Sequence, residues 1–139
     1  MACPYFYPTE KSGNLAWPFP ARLPLGGGFM GTCRAGAEEA CPTEEELRDF
    51  CNIGYARGCP RMPRSCFSDG VRFAVARDEG SRVILHYASE RQHEPVEYGR
   101  LEYDCATTKW AAPLRDACQQ RQAEVYMAGY LERRPRKGV

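Results

Sequence analysis

Cysteine is the residue type on which chemistry could turn in this chain. Eight occur in 139 residues, and six of them, Cys3, Cys33, Cys41, Cys51, Cys59 and Cys66, precede Ser68. None forms a Cys-x-x-Cys pair. Thiols concentrated in a loop-rich stretch, with no apolar leader ahead of them, point to a metal or redox site. Structural zinc sites usually draw on close pairs, because a two-residue knuckle presents two thiolates to one tetrahedral ion. An iron-sulfur cluster spreads its irons over separate corners, so its thiolates can arrive singly from distant segments. The spacing therefore favours a cluster, taken as 4Fe-4S, with zinc as the alternative.

The expected ligands are Cys3, Cys33, Cys51 and Cys59, with Cys41 and Cys66 in reserve. Gly58-Cys59-Pro60 sets a thiol between a permissive residue and one that ends local structure. Cys51 closes a helix, and the run from Cys51 to Cys59 reads as one unit. Cys3 lies in a Pro-rich stretch, and Cys33 follows the glycines Gly26-Gly27-Gly28 and Gly31. That glycine segment lacks the Gly-Lys-Ser/Thr ending of a phosphate loop. Cys41 precedes a helix start, where a thiolate is favoured, and reads as a reactive thiol. Cys105, on the inward face of a strand, and Cys118, on the apolar stripe of a helix, read as inert buried thiols. Tyr5, Phe6, Tyr7, Trp17 and Phe19 flank the first ligand and could keep water from a cluster. His86 falls in a strand and His93 in a polar turn, neither with the partners of a hydrolytic triad. Of the two, His93 is the better placed to serve as a mixed-site ligand.

These residues need a frame. Eight of the eleven prolines fall in residues 1–70, so that half reads as ordered loop wrapped on the rest. One short helix interrupts it: Thr43 and Glu46 have capping-box spacing, and Leu47, Phe50, Cys51 and Gly54 then share a face. Residues 71–105 alternate as three strands. Val71, Phe73 and Val75 turn at Asp78-Glu79-Gly80-Ser81 into Val83, Leu85 and Tyr87, and a looser connection over 89–95 leads to Leu101, Tyr103 and Cys105. Pro113, Leu114, Cys118, Arg121, Val125 and Ala128 mark a long C-terminal helix that covers the sheet. The expectation is a single α+β domain: a three-stranded antiparallel meander, a long C-terminal helix, one shorter helix and a Pro/Gly/Cys-rich loop region.

Nineteen Lys and Arg balance eighteen Asp and Glu, a net charge of +1, so no field points to nucleic acid or an anionic membrane. The basic tail Arg133-Arg134-Pro135-Arg136-Lys137 suits docking to an acidic partner better than sequence-specific nucleic-acid binding. Apolar runs fall far short of the roughly 20 residues a membrane-spanning helix needs. The chain reads as cytoplasmic.

Met1-Ala2-Cys3-Pro4-Tyr5-Phe6, Cys51-Asn52-Ile53-Gly54-Tyr55-Ala56 and Arg72-Phe73 resemble motifs of a group of small, uncharacterised, cysteine-rich bacterial proteins, over nearly the whole length. The resemblance implies no activity. Its motifs take in Cys3 and Cys51. No acid, base and open metal position accompany the thiols, so the expected role is an electron carrier or redox sensor with a redox partner protein, rather than an enzyme. The alternative is a zinc-stabilised interaction module without redox activity.

Overall fold

The computed structural model describes residues 1–12, 22–53 and 56–134. Trp17, Phe19, Gly54, Tyr55 and the tail from Pro135 onward lie outside the described residues. The architecture is α+β, with antiparallel sheets of two and four strands.

The N-terminal arm is not simply loop. Strands β1 (Phe6–Lys11) and β2 (Phe29–Cys33) pair antiparallel, with Phe6 opposite Cys33 and a register shift between Pro8 and Glu10. Proline is tolerated at an edge or a bulge because no ladder donor is needed there. The two chains come close enough at Gly31 that a Cβ would meet Tyr7 O and the Phe6 ring.

The capping box stands as expected: Thr43 Oγ1 accepts from Glu46 N at 3.1 Å, and Glu46 Oε1 accepts from Thr43 N at 2.9 Å. The helix it starts is brief. After α1 (Glu44–Glu46) the chain widens into a π-helical turn over Leu47–Cys51, which buries Leu47 and Cys51. A 3-10 turn over Ala56–Gly58 follows.

The larger sheet runs β3 (Gly70–Asp78), β4 (Arg82–Arg91), β5 (Glu94–Asp104), β6 (Lys109–Trp110) in sequence order. Three points correct the meander expected from sequence. A fourth, two-residue strand extends it, held where Trp110 packs against Tyr103 with ring centroids 5.0 Å apart. The link between β4 and β5 is a tight turn at Gln92 and His93, both at positive φ, rather than a loose connection. Cys105 follows the end of β5 and is half-buried, with Arg134 Nη1 3.8 Å from its sulfur.

Helix α2 (Ala117–Arg133) begins later than Pro113 suggests. Asp116 is its N-cap, accepting from Gln119 N at 2.9 Å, and Ala128 is exposed. Phe73 meets Tyr126 at 5.8 Å between β3 and α2, but the arm holds α2 through more polar bonds. Arg121 donates to Pro8 O and Thr9 O, Gln122 to Cys3 O and Phe6 O, and Arg133 to Gly26 O. One core joins arm and sheet: Phe6, Leu25, Val71, Leu85 and Met127 are almost fully buried within it.

Candidate metal centre

Each of the four cysteines expected as ligands is fixed by a different local device. Cys3 lies in a turn closed by Phe6 N donating to Cys3 O at 3.1 Å, and its own amide donates to Cys51 O at 3.2 Å. Phe6 anchors that turn. It is about 1% exposed, and burying such a side chain contributes roughly 1.5–3 kcal/mol, more than a surface ion pair. Cys33 ends β2, where it exchanges both backbone hydrogen bonds with Ala40, at 2.8 and 2.9 Å. Cys51 closes the π-helical turn. Cys59 sits on a loop with exposed neighbours Gly58 and Pro60, its carbonyl accepting from Met62 N at 3.0 Å.

Two buried amides tie these devices together. Asn52 is wholly buried; its Oδ1 accepts from Phe29 N at 2.9 Å, and its Nδ2 donates to Phe29 O at 2.9 Å and Leu47 O at 3.0 Å. It thereby clamps the turn that carries Cys51 to the strand that carries Cys33. Gln122, also wholly buried, donates from Nε2 to Cys3 O at 2.7 Å and Phe6 O at 2.8 Å. It locks the Cys3 turn to α2. The loop before Cys59 is held by Arg57, whose Nη1 is 3.0 Å from the buried carboxylate of Asp69.

The result is convergence. Cys3, Cys33, Cys51 and Cys59 line one narrow cavity of about 10 Å3, room for a single water. Tyr5, Phe6, Phe50 and Met62 supply its apolar wall. Tyr7 does not join them: the guanidinium of Arg34 lies over its ring at 3.9 Å. Cys41 is exposed and Cys66 half-buried, and neither is among the residues lining the cavity. Cys118 is buried in α2, with its sulfur 3.7 Å from Tyr5 O, outside the lining. His86 is exposed on β4 and His93 lies in the β4–β5 turn, both away from the cavity lining.

The thiols sense one another. Burial pushes Cys3 up to about 12, opposed by a backbone hydrogen bond with Tyr5 and reinforced by Cys33, Cys59 and Cys118. Cys51 rises further, through burial and then through Cys3, Cys33, Cys59 and Glu46. Cys118 is raised to about 11, by burial and then Asp116. Cys3 and Cys51 are therefore neutral thiols near pH 7.

Among the described residues, no group of three or more His, Cys, Asp or Glu side chains is arranged to hold a single metal ion. A tetrahedral zinc with bonds of about 2.3 Å requires its sulfurs within roughly 4 Å of one another. Thiolates bound to separate irons of a cluster stand further apart, around an eight-atom core that a cavity of about 10 Å3 does not hold as it stands. Sequence reasoning missed Asn52, Gln122, Phe50 and Met62. Phe50 and Asn52 flank Cys51 directly, which is the signal that could have found them. Neither a protein-family model, nor a curated protein, nor a solved structure matches this chain.

Proposed function

We propose that the protein binds a 4Fe-4S cluster through Cys3, Cys33, Cys51 and Cys59 and works in the cytoplasm as an electron carrier or redox sensor with a redox partner protein. The observation that carries this reading is that four thiols, from four segments between residues 3 and 59, line one apolar-walled cavity. A cluster would supply one-electron acceptance and donation. The protein's part is thiolate supply, orientation and the exclusion of water.

Buried neutral thiols must each lose a proton to become ligands, so loading releases protons and weakens as pH falls. The cavity as it stands has space for a water, so loading also requires the lining to open. Cys59 is the ligand best able to move, because it is half-buried on a loop while Cys3, Cys33 and Cys51 are buried. Tyr5, Phe6, Phe50 and Met62 then form the dry shell that protects the sulfurs and tunes the potential. A zinc-stabilised module is the competing reading. It would need three or four of these sulfurs to close on one ion.

Single Cys→Ser substitutions, purified without air, test the ligand set. Loss of cluster absorbance is expected at Cys3, Cys33, Cys51 and Cys59, with retention at Cys41, Cys66 and Cys105. Loss at Cys41 or Cys66 with retention at Cys3 would overturn the assignment.

A further inference from the structure

The larger sheet has a second face that the core does not use. Val71 and Phe73 of β3, Leu85 of β4 and Leu101 of β5 are buried on its inner side. Because side chains alternate along a strand, Arg72, Ala74, His86, Ala88, Tyr98 and Arg100 stand on the other side. They line an open cavity of about 570 Å3, a size typical of small-molecule sites. It shares no residue with the cavity that the cysteines line.

The ladder register sets these six residues in two rows. Arg72 lies opposite Ala88, and Ala88 opposite Tyr98. Ala74 lies opposite His86, and His86 opposite Arg100. The first row is a methyl floor between a guanidinium and an aromatic ring, and that ring is 80% exposed. Such a floor leaves room for a flat group that Tyr98 can stack against and Arg72 can cover. The second row sets an imidazole beside a guanidinium, a pair of N–H donors for an anion. Two residues along each strand separate the rows, a span of about 7 Å.

Charge at this face favours an anion. No Asp or Glu is among the described residues that line the cavity. Arg100 Nη2 lies 2.8 Å from Glu102 Oε1, but Glu102 also takes Arg82 Nη1 at 3.3 Å, and Arg82 shares Glu79 with Arg77. Three guanidiniums thus stand on two carboxylates. Arg72 is steadied through one nitrogen, Nη2, 2.9 Å from Glu90 Oε2. A run of bases needs successive stacking platforms, and one exposed ring on a chain of net charge +1 does not supply them. A carboxylate attached directly to a ring would reach only one row. The ligand that spans both carries its anion on a linker.

We propose that this outer face of β3, β4 and β5 binds a nucleoside monophosphate. The base lies on Ala88 between Tyr98 and Arg72, the phosphate meets His86 and Arg100, and the ribose supplies the span between the rows. The site stands apart from the cysteines, so it holds or fails whatever they bind.

The test is isothermal titration calorimetry of the full chain as isolated, with adenosine monophosphate, uridine monophosphate, adenosine and inorganic phosphate as probes. Both nucleotides should saturate one site per chain. Adenosine and inorganic phosphate, each keeping one row only, should bind at least about tenfold more weakly. Arg100→Gln should bring adenosine monophosphate down to about the affinity of adenosine, and Tyr98→Ala should bring it down to about that of inorganic phosphate. Arg77→Gln removes a charge from the same network outside this cavity and should change the affinity by less than about twofold. Arg77, Tyr98 and Arg100 are all exposed, so urea midpoints near wild type should accompany each change. No saturable binding of either nucleotide below about 1 mM would overturn the proposal. So would inorganic phosphate binding as tightly as the nucleotides, or Arg77→Gln losing as much affinity as Arg100→Gln, since either reduces the effect to bulk charge. A concentration-dependent dimer that Tyr98→Ala dissolves and the nucleotides do not displace would assign the face to a second copy of the chain, and would also overturn it.

Discussion

Asn52 ties the turn that carries Cys51 to the strand that carries Cys33. All three of its bonds run from a fully buried amide to backbone groups, so its side chain acts as a short strut between Phe29 in β2 and Leu47 in the π-helical turn. Removing it leaves the N–H and C=O of Phe29 without those partners inside the core, and each unsatisfied buried group costs roughly 1–3 kcal/mol. Asn52→Ala is therefore expected to lower the urea midpoint by the equivalent of at least 1 kcal/mol, with an unchanged slope. It should also reduce cluster retention, because Cys51 is no longer indexed to Cys33. An undiminished midpoint would show that the strut is dispensable. The thiols were legible in the sequence because eight cysteines in 139 residues, six of them before Ser68, stand out by number and placement. Asn52 and Gln122 were not, because an amide side chain announces neither its burial nor its partners.

The β1–β2 pair brings Cys3 and Cys33 to the same place, and Gly31 permits it. A Cβ there would run into Tyr7 O and lie 2.7 Å from the Phe6 ring and 2.9 Å from Pro8 Cα, two of the three being backbone atoms that cannot yield cheaply. Gly31→Ala should cost about 1–3 kcal/mol as overpacking. It should also deprive Cys33 of its place opposite the Cys3 turn, read as lost cluster absorbance. A stable, fully loaded variant would contradict the close approach. The inward faces of β3 and β4, the Thr43–Glu46 capping box and the long last helix were legible, since each has a strong period or a cap. Several elements were hidden, β2 among them, and four have separate physical reasons. The prolines that mark loop also suit edge strands, so β1 went unread. The π-helical turn departs from the 3.6-residue period on which helix reading depends. The Gln92–His93 turn lacks the Gly or Asn that positive φ usually recruits. Strand β6 is two residues long, too short to alternate.

The molecule is held together lengthwise by α2, and its two ends can be tested apart. At the N-terminal end Gln122 and Arg121 grip the cysteine-bearing arm. At the far end Tyr130 donates to Asp78 Oδ2 at 2.8 Å, and Arg134 reaches Oδ1 of the same residue at 3.2 Å. The Gly80 amide, the Tyr130 hydroxyl and the Arg134 guanidinium hold the Asp78 carboxyl below its ordinary value. A depressed carboxyl contributes stability that is complete above the unfolded value of about 3.9 and is lost as pH falls through the folded one. Asp78→Asn should thus lower the melting temperature of the protein near neutral pH, and the gap should close as pH drops below about 4. A gap that persists to strongly acid pH would mean that the contact is not ionic. Near neutral pH the variant should keep any cluster, because Asp78 is not among the residues lining the cavity.

The central claim is that thiols drawn from four segments share one inorganic centre. Its most direct test is the iron and acid-labile sulfide content of the wild-type protein purified without air, read with its paramagnetic-resonance spectrum before and after one-electron reduction. The account predicts brown protein with about four iron and four sulfide per chain, silent as isolated and giving a cluster signal on reduction. Colourless protein holding one zinc per chain, or no metal at all after anaerobic reconstitution, would contradict it.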